Sequence, residues 1–184
     1  MTVNLVKGQK ISLKKDSGQV LEKVVMGLGW DPAKAGTSID LDASCVLFDE
    51  NKKALDSVWF GQLKSKDGSV VHTGDNLTGE GEGDDERIIV DLTKVPPEAK
   101  YLAFTVNSFR GQTFNEVANA FCRLVDANGN LEVARHTLSG GGKHTAMIMA
   151  KVYRHGDEWK MAALGDPAEG RTVEDLIPAI AEVL

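Results

Sequence analysis

The residues best suited to chemistry in this chain are acidic, and they are bunched. Positions 67–86 carry seven carboxylates, Asp67, Asp75, Glu80, Glu82, Asp84, Asp85 and Glu86, and no lysine or arginine. The same stretch adds Asn76 and interleaves Gly79, Gly81 and Gly83. Glycines reach backbone conformations closed to other residues, so main-chain carbonyls can turn inward beside the side-chain oxygens. A flexible, oxygen-only donor set suits Ca2+, which takes about six to eight oxygens from carboxylates, carbonyls and water. Zinc calls for Cys or His, and only His72 stands close by. A phosphate cradle needs a lysine and converging N–H groups, not a run of carboxylates.

A second acidic patch lies upstream at Asp40 and Asp42. Alternation along a strand puts Ile39, Leu41, Ala43, Cys45 and Leu47 on one face. Asp40, Asp42 and Ser44 share the other, which turns apolar at Val46 and Phe48. Asp31, behind Trp30, can enter the same region from a loop. Taken singly, the glycine-rich stretch also reads as a solvated turn, and Asp40 and Asp42 as partners of basic residues. Together at one end of a fold, the two patches repel unless neutralised, which favours a cation.

The elements that must hold these groups are mostly strands. Short apolar or alternating runs are predicted at 3–6, 10–13, 21–28, 39–48, 54–60, 69–72, 87–92, 101–106, 120–126, 131–138, 146–154 and 158–163, with turn residues between them. Many short strands at close spacing predict a mainly β fold, a two-sheet β-sandwich with acidic metal-binding loops at one end, rather than alternating βαβ units. Asn128-Gly129 marks a hairpin. Thr113 with Glu116 predicts a short helix. A longer C-terminal helix is predicted over 172–183, with Pro178 kinking it or shifting its start. Cys45 to Asn51 matches Cys122 to Asn128 at four identical positions, which suggests two related halves. His144-Thr145 runs almost directly into the next strand, whereas His72-Thr73 is followed by the acidic insertion. Asp126 to Asn130 resembles the start of a calcium loop, but Gly129 and Thr137 fall where such a loop needs other residues, so a hairpin turn is expected there.

The 184 residues are 42% hydrophobic and 26% charged, an ordinary globular balance consistent with a single domain over 1–184. The net charge is −6, yet outside 67–86 there are 20 acidic against 21 basic residues. The imbalance is therefore local. With no basic stripe, nucleic acid is not an expected partner. No run is long and apolar enough for a transmembrane helix, and no signal-peptide pattern precedes the first strand. Two cysteines are too few for a disulfide framework, so a reducing cytoplasm is expected.

Four motifs carry a family resemblance: Gly27-Leu28-Gly29-Trp30-Asp31, Asp40-Leu41-Asp42-Ala43-Ser44, His72-Thr73-Gly74-Asp75-Asn76, and Thr78-Gly79 with Gly81, Gly83, Asp84, Asp85 and Glu86. With Phe114 to Asp126, Ala134-Arg135, Tyr153-Arg154-His155 and Glu158-Trp159-Lys160, they make the chain similar to the TerD family of bacterial tellurium-resistance and stress proteins over nearly its whole length. The ending, Leu164 to Pro167 with Gly170-Arg171-Thr172, resembles the TerZ branch. The resemblance implies a non-enzymatic calcium-binding β-sandwich. It implies resistance to tellurite, chemical stress, phages and colicins, exercised with other resistance proteins in the cytoplasm and in part at the inner-membrane surface. It maps the family's acidic positions onto Asp31, Asp40, Asp42, Asp75, Asn76, Asp84, Asp85 and Glu86. Glu80 and Glu82 fall at variable positions. Eight candidate side chains exceed the needs of one ion, so two Ca2+ are expected. Two other readings remain: a metal-assisted phosphoester hydrolase, and a calcium-dependent membrane-docking module.

Overall fold

The computed structural model describes residues 2–34, 36–74, 84–138 and 142–184. Its strands are β1 (Val3–Leu5), β2 (Lys10–Ser12), β3 (Lys23–Pro32), β4 (Leu41–Phe48), β5 (Ala54–Val58), β6 (Val70–His72), β7 (Glu86–Asp91), β8 (Tyr101–Ser108), β9 (Val117–Asp126), β10 (Leu131–Thr137), β11 (Ala146–His155) and β12 (Glu158–Ala168), followed by one helix, α1 (Val173–Val183). Each corresponds to a run read from the sequence, because alternation and turn residues are local signals.

The strands form two sheets, β1-β10-β9-β3-β7-β6 and β2-β12-β11-β8-β4-β5. All pairings are antiparallel except β1 with β10. Leu28, Leu41, Ala43, Cys45, Phe104, Cys122 and Leu124 pack in one core between the sheets. The related segments occupy related places. β4, carrying Cys45, pairs with β8, and β9, carrying Cys122, pairs with β3. Each sheet thus joins a hairpin from one half of the chain to the central strand of the other.

β4 is buried along its whole length, because α1 lies over the outer face of the second sheet. Val173, Leu176 and Ile180 of the helix pack on Val46, Phe48, Ala103 and Ile148. Thr172 and Asp175 form a reciprocal capping box that fixes the helix start. Pro178 therefore does not shift it. The proline is exposed, so water can reach the carbonyl it leaves without an intrahelical donor.

One local expectation differs from the structure, and the Asn128-Gly129 hairpin is present between β9 and β10. The Thr113–Glu116 box is present, but it opens a single 3-10 turn (Phe114–Glu116). Val117 and Ala118 then pair with Pro32 and Asp31 of β3, so sheet pairing ends the helix. The Asn128-Gly129 hairpin is a four-residue connection, in which Asn130, at φ 52°, takes the left-handed conformation.

Leu176 is fully buried beneath α1. Leu176→Ala should cost about 2–4 kcal/mol through lost burial and the cavity left behind. A urea unfolding series on the variant and the parent protein measures this directly.

Candidate metal centre

β3, β7 and β9 lie side by side, and their register sets Gly27 between Arg87 and Arg123. The carboxylate of Asp84 sits directly over Gly27, where a side chain would collide with it. Arg123 holds that carboxylate through both oxygens, at 2.7 and 2.8 Å, and Arg87 adds a contact at 3.3 Å. Paired guanidinium–carboxylate contacts of this length are strong and directional. Asp84 therefore has a structural partner on the outer face of the first sheet. A groove of about 300 Å3 runs past Asp84, Arg87 and Arg123.

Asp85 points elsewhere. Its Oδ2 accepts the backbone N–H of Trp30 at 2.7 Å. Burial, together with the charges of Asp31 and Asp84, raises its carboxyl from 3.8 to about 6 against the opposing effect of that hydrogen bond. Asp31 in turn accepts from the amide of Asn119 at 3.0 Å. Asn119 takes a left-handed conformation (φ 52°) within a bulge of β9, where Asn119 and Ala120 together face Trp30 of β3. The indole N–H of Trp30 donates to the carbonyl of Ile39 at 3.0 Å. One tryptophan thus ties β3 to Asp85 and to the segment carrying Asp40 and Asp42.

Glu86 is buried between the sheets. Its carboxylate accepts the N–H of Ala43 on β4 at 3.2 Å and meets Nε2 of His72 at 3.0 Å. The other ring nitrogen of His72 accepts the N–H of Gly74 at 3.0 Å, which leaves the imidazole proton on Nε2, donated to Glu86. One histidine therefore holds residues on both sides of the 75–83 segment.

Asp40 is buried, with Arg110 at 3.4 Å. Asp42 is buried opposite Asn107 in the register. Alternation places Asp42 and Ser44 on the outer, α1-bearing face, while Ala43 and Cys45 face the core. The structure thus gathers Asp31, Asp84 and Asp85 around β3, seats Glu86 in the core, and sets Asp42 on the far face of the other sheet. Asp75 and Asn76 lie outside the described residues. Among the described residues, no three Asp, Glu, His or Cys side chains converge as a ligand group.

Sequence reasoning missed Gly27, Arg87, Arg123 and Asn119 as parts of this end. The two arginines alternate outward on their strands, a signal in plain view, but only sheet register shows that they flank one glycine. The donors around β3 are oxygens, and their crowding is what a hard cation relieves, so their chemistry fits Ca2+. Both thiols are buried, and burial pushes Cys122 up to about 12. Neither offers a thiolate for redox or metal chemistry.

A TerD domain model matches residues 1–178. The chain belongs to the TerD family. It is 50% identical to the tellurium resistance protein TerZ of Serratia marcescens, over 95% of this chain and 94% of that protein. It is 43% identical to the stress response protein SCP2 of Bacillus subtilis, over 96% and 98%, and 42% identical to the tellurium resistance protein TerD of Serratia marcescens, over 92% and 93%. The fold also matches the crystal structure of a homologue of telluride resistance protein TerD from Streptomyces coelicolor A3(2), with a TM-score of 0.69 at 19% identity, over 88% of this chain and 98% of that one.

The raised carboxyl of Asp85 has a defined consequence for stability. The folded state holds that proton more tightly than the unfolded chain. The penalty of ionising it is fully present above about pH 6 and is relieved as the pH falls toward 3.8. Asp85→Asn keeps an oxygen for the Trp30 N–H and removes the charge. In chelator, it should melt above the parent protein at pH 7.5, and the difference should shrink steadily below pH 6 and close only as the pH falls to about 3.8 and below. Melting curves across that range check the sign.

Proposed function

We propose that this protein is a non-enzymatic calcium-binding module of tellurite and chemical-stress resistance, acting through complexes with other resistance proteins. The observation that carries the reading is the gathering of Asp31, Asp84 and Asp85 around β3, next to residues 75–83 with their own acids. The proposed donors are Asp31 and Asp85, with Asp75 and Asn76, and further oxygens from Asp84, Glu86, Asp40 and Asp42, enough for two ions. Bound calcium supplies positive charge that relieves the repulsion among these carboxylates. Trp30 orients Asp85, Asn119 orients Asp31, and His72 fixes the positions of Gly74 and Glu86. A binding role is further supported by His72, whose two ring nitrogens are both engaged and so not poised as a base.

Calorimetry should show calcium binding in excess magnesium, because Mg2+ demands stricter octahedral geometry and gives up water reluctantly. Asp31→Asn and Asp85→Asn should each weaken calcium at least tenfold, about 1.4 kcal/mol. At a hundredfold excess over Kd, calcium should stabilise the fold by about 2.7 kcal/mol. Full competition by millimolar Mg2+ would overturn the calcium assignment. Unchanged affinity in Asp42→Asn would remove the strand carboxylates from the donor set.

One observation favours the membrane-docking reading as a second function. Phe60 and Phe109 are exposed, at 37% and 43%, and meet edge to face at 6.1 Å. Phe109 adjoins Arg110, the partner of Asp40. Exposed rings and a cation beside a calcium site suit an anionic bilayer. On this reading, the protein should cosediment with phosphatidylserine vesicles in calcium but not in chelator, and a Phe60→Ser, Phe109→Ser double variant should lose that association.

A further inference from the structure

The outer face of the second sheet carries a cluster of like charge that the acidic end does not involve. Register aligns Tyr101, Tyr153 and Lys160 across β8, β11 and β12. The adjacent row runs through Ala103, Lys151, Ala162 and Lys10, reaching β2. Two strand spacings, about 10 Å, separate Lys151 from Lys10. The tyrosine rings stack at 6.4 Å. The Lys151 ammonium lies 5.0 Å from the Tyr153 ring and 5.7 Å from the Tyr101 ring, and Lys100 lies 5.4 Å from the same Tyr101 ring. Lys151 is half-buried, and burial together with Lys10 and Lys52 favours its neutral form. Glu158 serves Lys14 and Lys160. Among the described residues, no carboxylate forms an ion pair with Lys10, Lys52, Lys100 or Lys151.

We propose that the face around Lys10 and Lys151 binds a compact polyanion with two or more adjacent phosphates. Gathering ammonium groups on one face of a net-acidic protein is costly without an anion to meet them. Lysines act as point charges and suit phosphate, whereas a planar carboxylate favours arginine forks. The anion is compact. Asp49, Glu50 and Glu98 line a cavity of about 520 Å3 next to Lys100, so a long polyanion would run into them. Nucleic-acid bases need open ring faces, but Tyr153 is 8% exposed and the ammonium groups crowd both rings. Among the described residues, none of the exposed large apolar side chains lies on these rows, so a bilayer has nothing here to hold.

The test is calorimetry in EDTA, which keeps calcium at the acidic end from bridging to the probe. Inorganic triphosphate should bind, and orthophosphate at least tenfold more weakly. Lys151→Met keeps the aliphatic stem over the rings. It and Lys10→Gln should each weaken triphosphate at least tenfold, while Lys64→Gln, at the bridge to Val71 on the edge of the first sheet, leaves it unchanged. Equal affinity for ATP assigns recognition to the phosphate chain, and tighter ATP binding adds a nucleoside to it. No binding at millimolar triphosphate, equal binding of orthophosphate, or unchanged affinity in folded Lys151→Met and Lys10→Gln would overturn the proposal. Binding of an oligonucleotide or an anionic vesicle without triphosphate binding would do the same.

Discussion

A carboxylate sealed between two sheets is tolerated only when its oxygens are hydrogen-bonded. Glu86 meets that condition by reaching both sheets, to Ala43 on β4 and to His72 on β6. β5 pairs with β4 only from Cys45 onward, so the earlier part of that edge is open, and Glu86 occupies it at Ala43. The same histidine fixes Gly74. Positions on both sides of the acidic segment are thereby tied to the sandwich interior, and the two sheets are held in register at this end. Asp84 and Asp85, two and one residues before Glu86, take their directions from that anchor. One turns to Arg123, the other to Trp30.

Neighbouring carboxylates in sequence therefore have separate roles. Asp84 is neutralised by guanidinium groups, Glu86 is bound in the core, and Asp85 accepts a backbone N–H against burial and two like charges. The tension at Asp85 depends on the stability of the other two, since a mobile neighbour would move away from the repulsion.

The strands, the sandwich and the capped C-terminal helix were legible because each has a local signal: alternation, turn residues, or a Thr–Asp box. The acidic residues were legible as a group from charge alone. Their division of labour was not. Nothing local says that Gly27 lies between Arg87 and Arg123, because that juxtaposition is made by pairing residues about sixty and about a hundred positions away. Asp42 shows the reverse. Its alternation with Ala43 was read correctly, but which face meets the other sheet depended on α1, more than a hundred residues downstream. The lysine face escaped the sequence for the same reason. Lys10, Lys52, Lys100, Lys151 and Lys160 are scattered along the chain and become one surface only across strands.

The exchange of hairpins between the halves bears on how the chain can assemble. β4 must wait for β8, and β3 for β9. The first strands wait longest, since β1 pairs with β10 and β2 with β12. Contacts so distant in sequence slow folding, because loop closure precedes the burial that rewards it. Neither half has a complete sheet of its own to form during synthesis. On the ribosome, β1 and β2 emerge with unpaired edges and stay so until β10 and β12 respectively are made, an interval in which a holding chaperone or a second nascent copy can reach them.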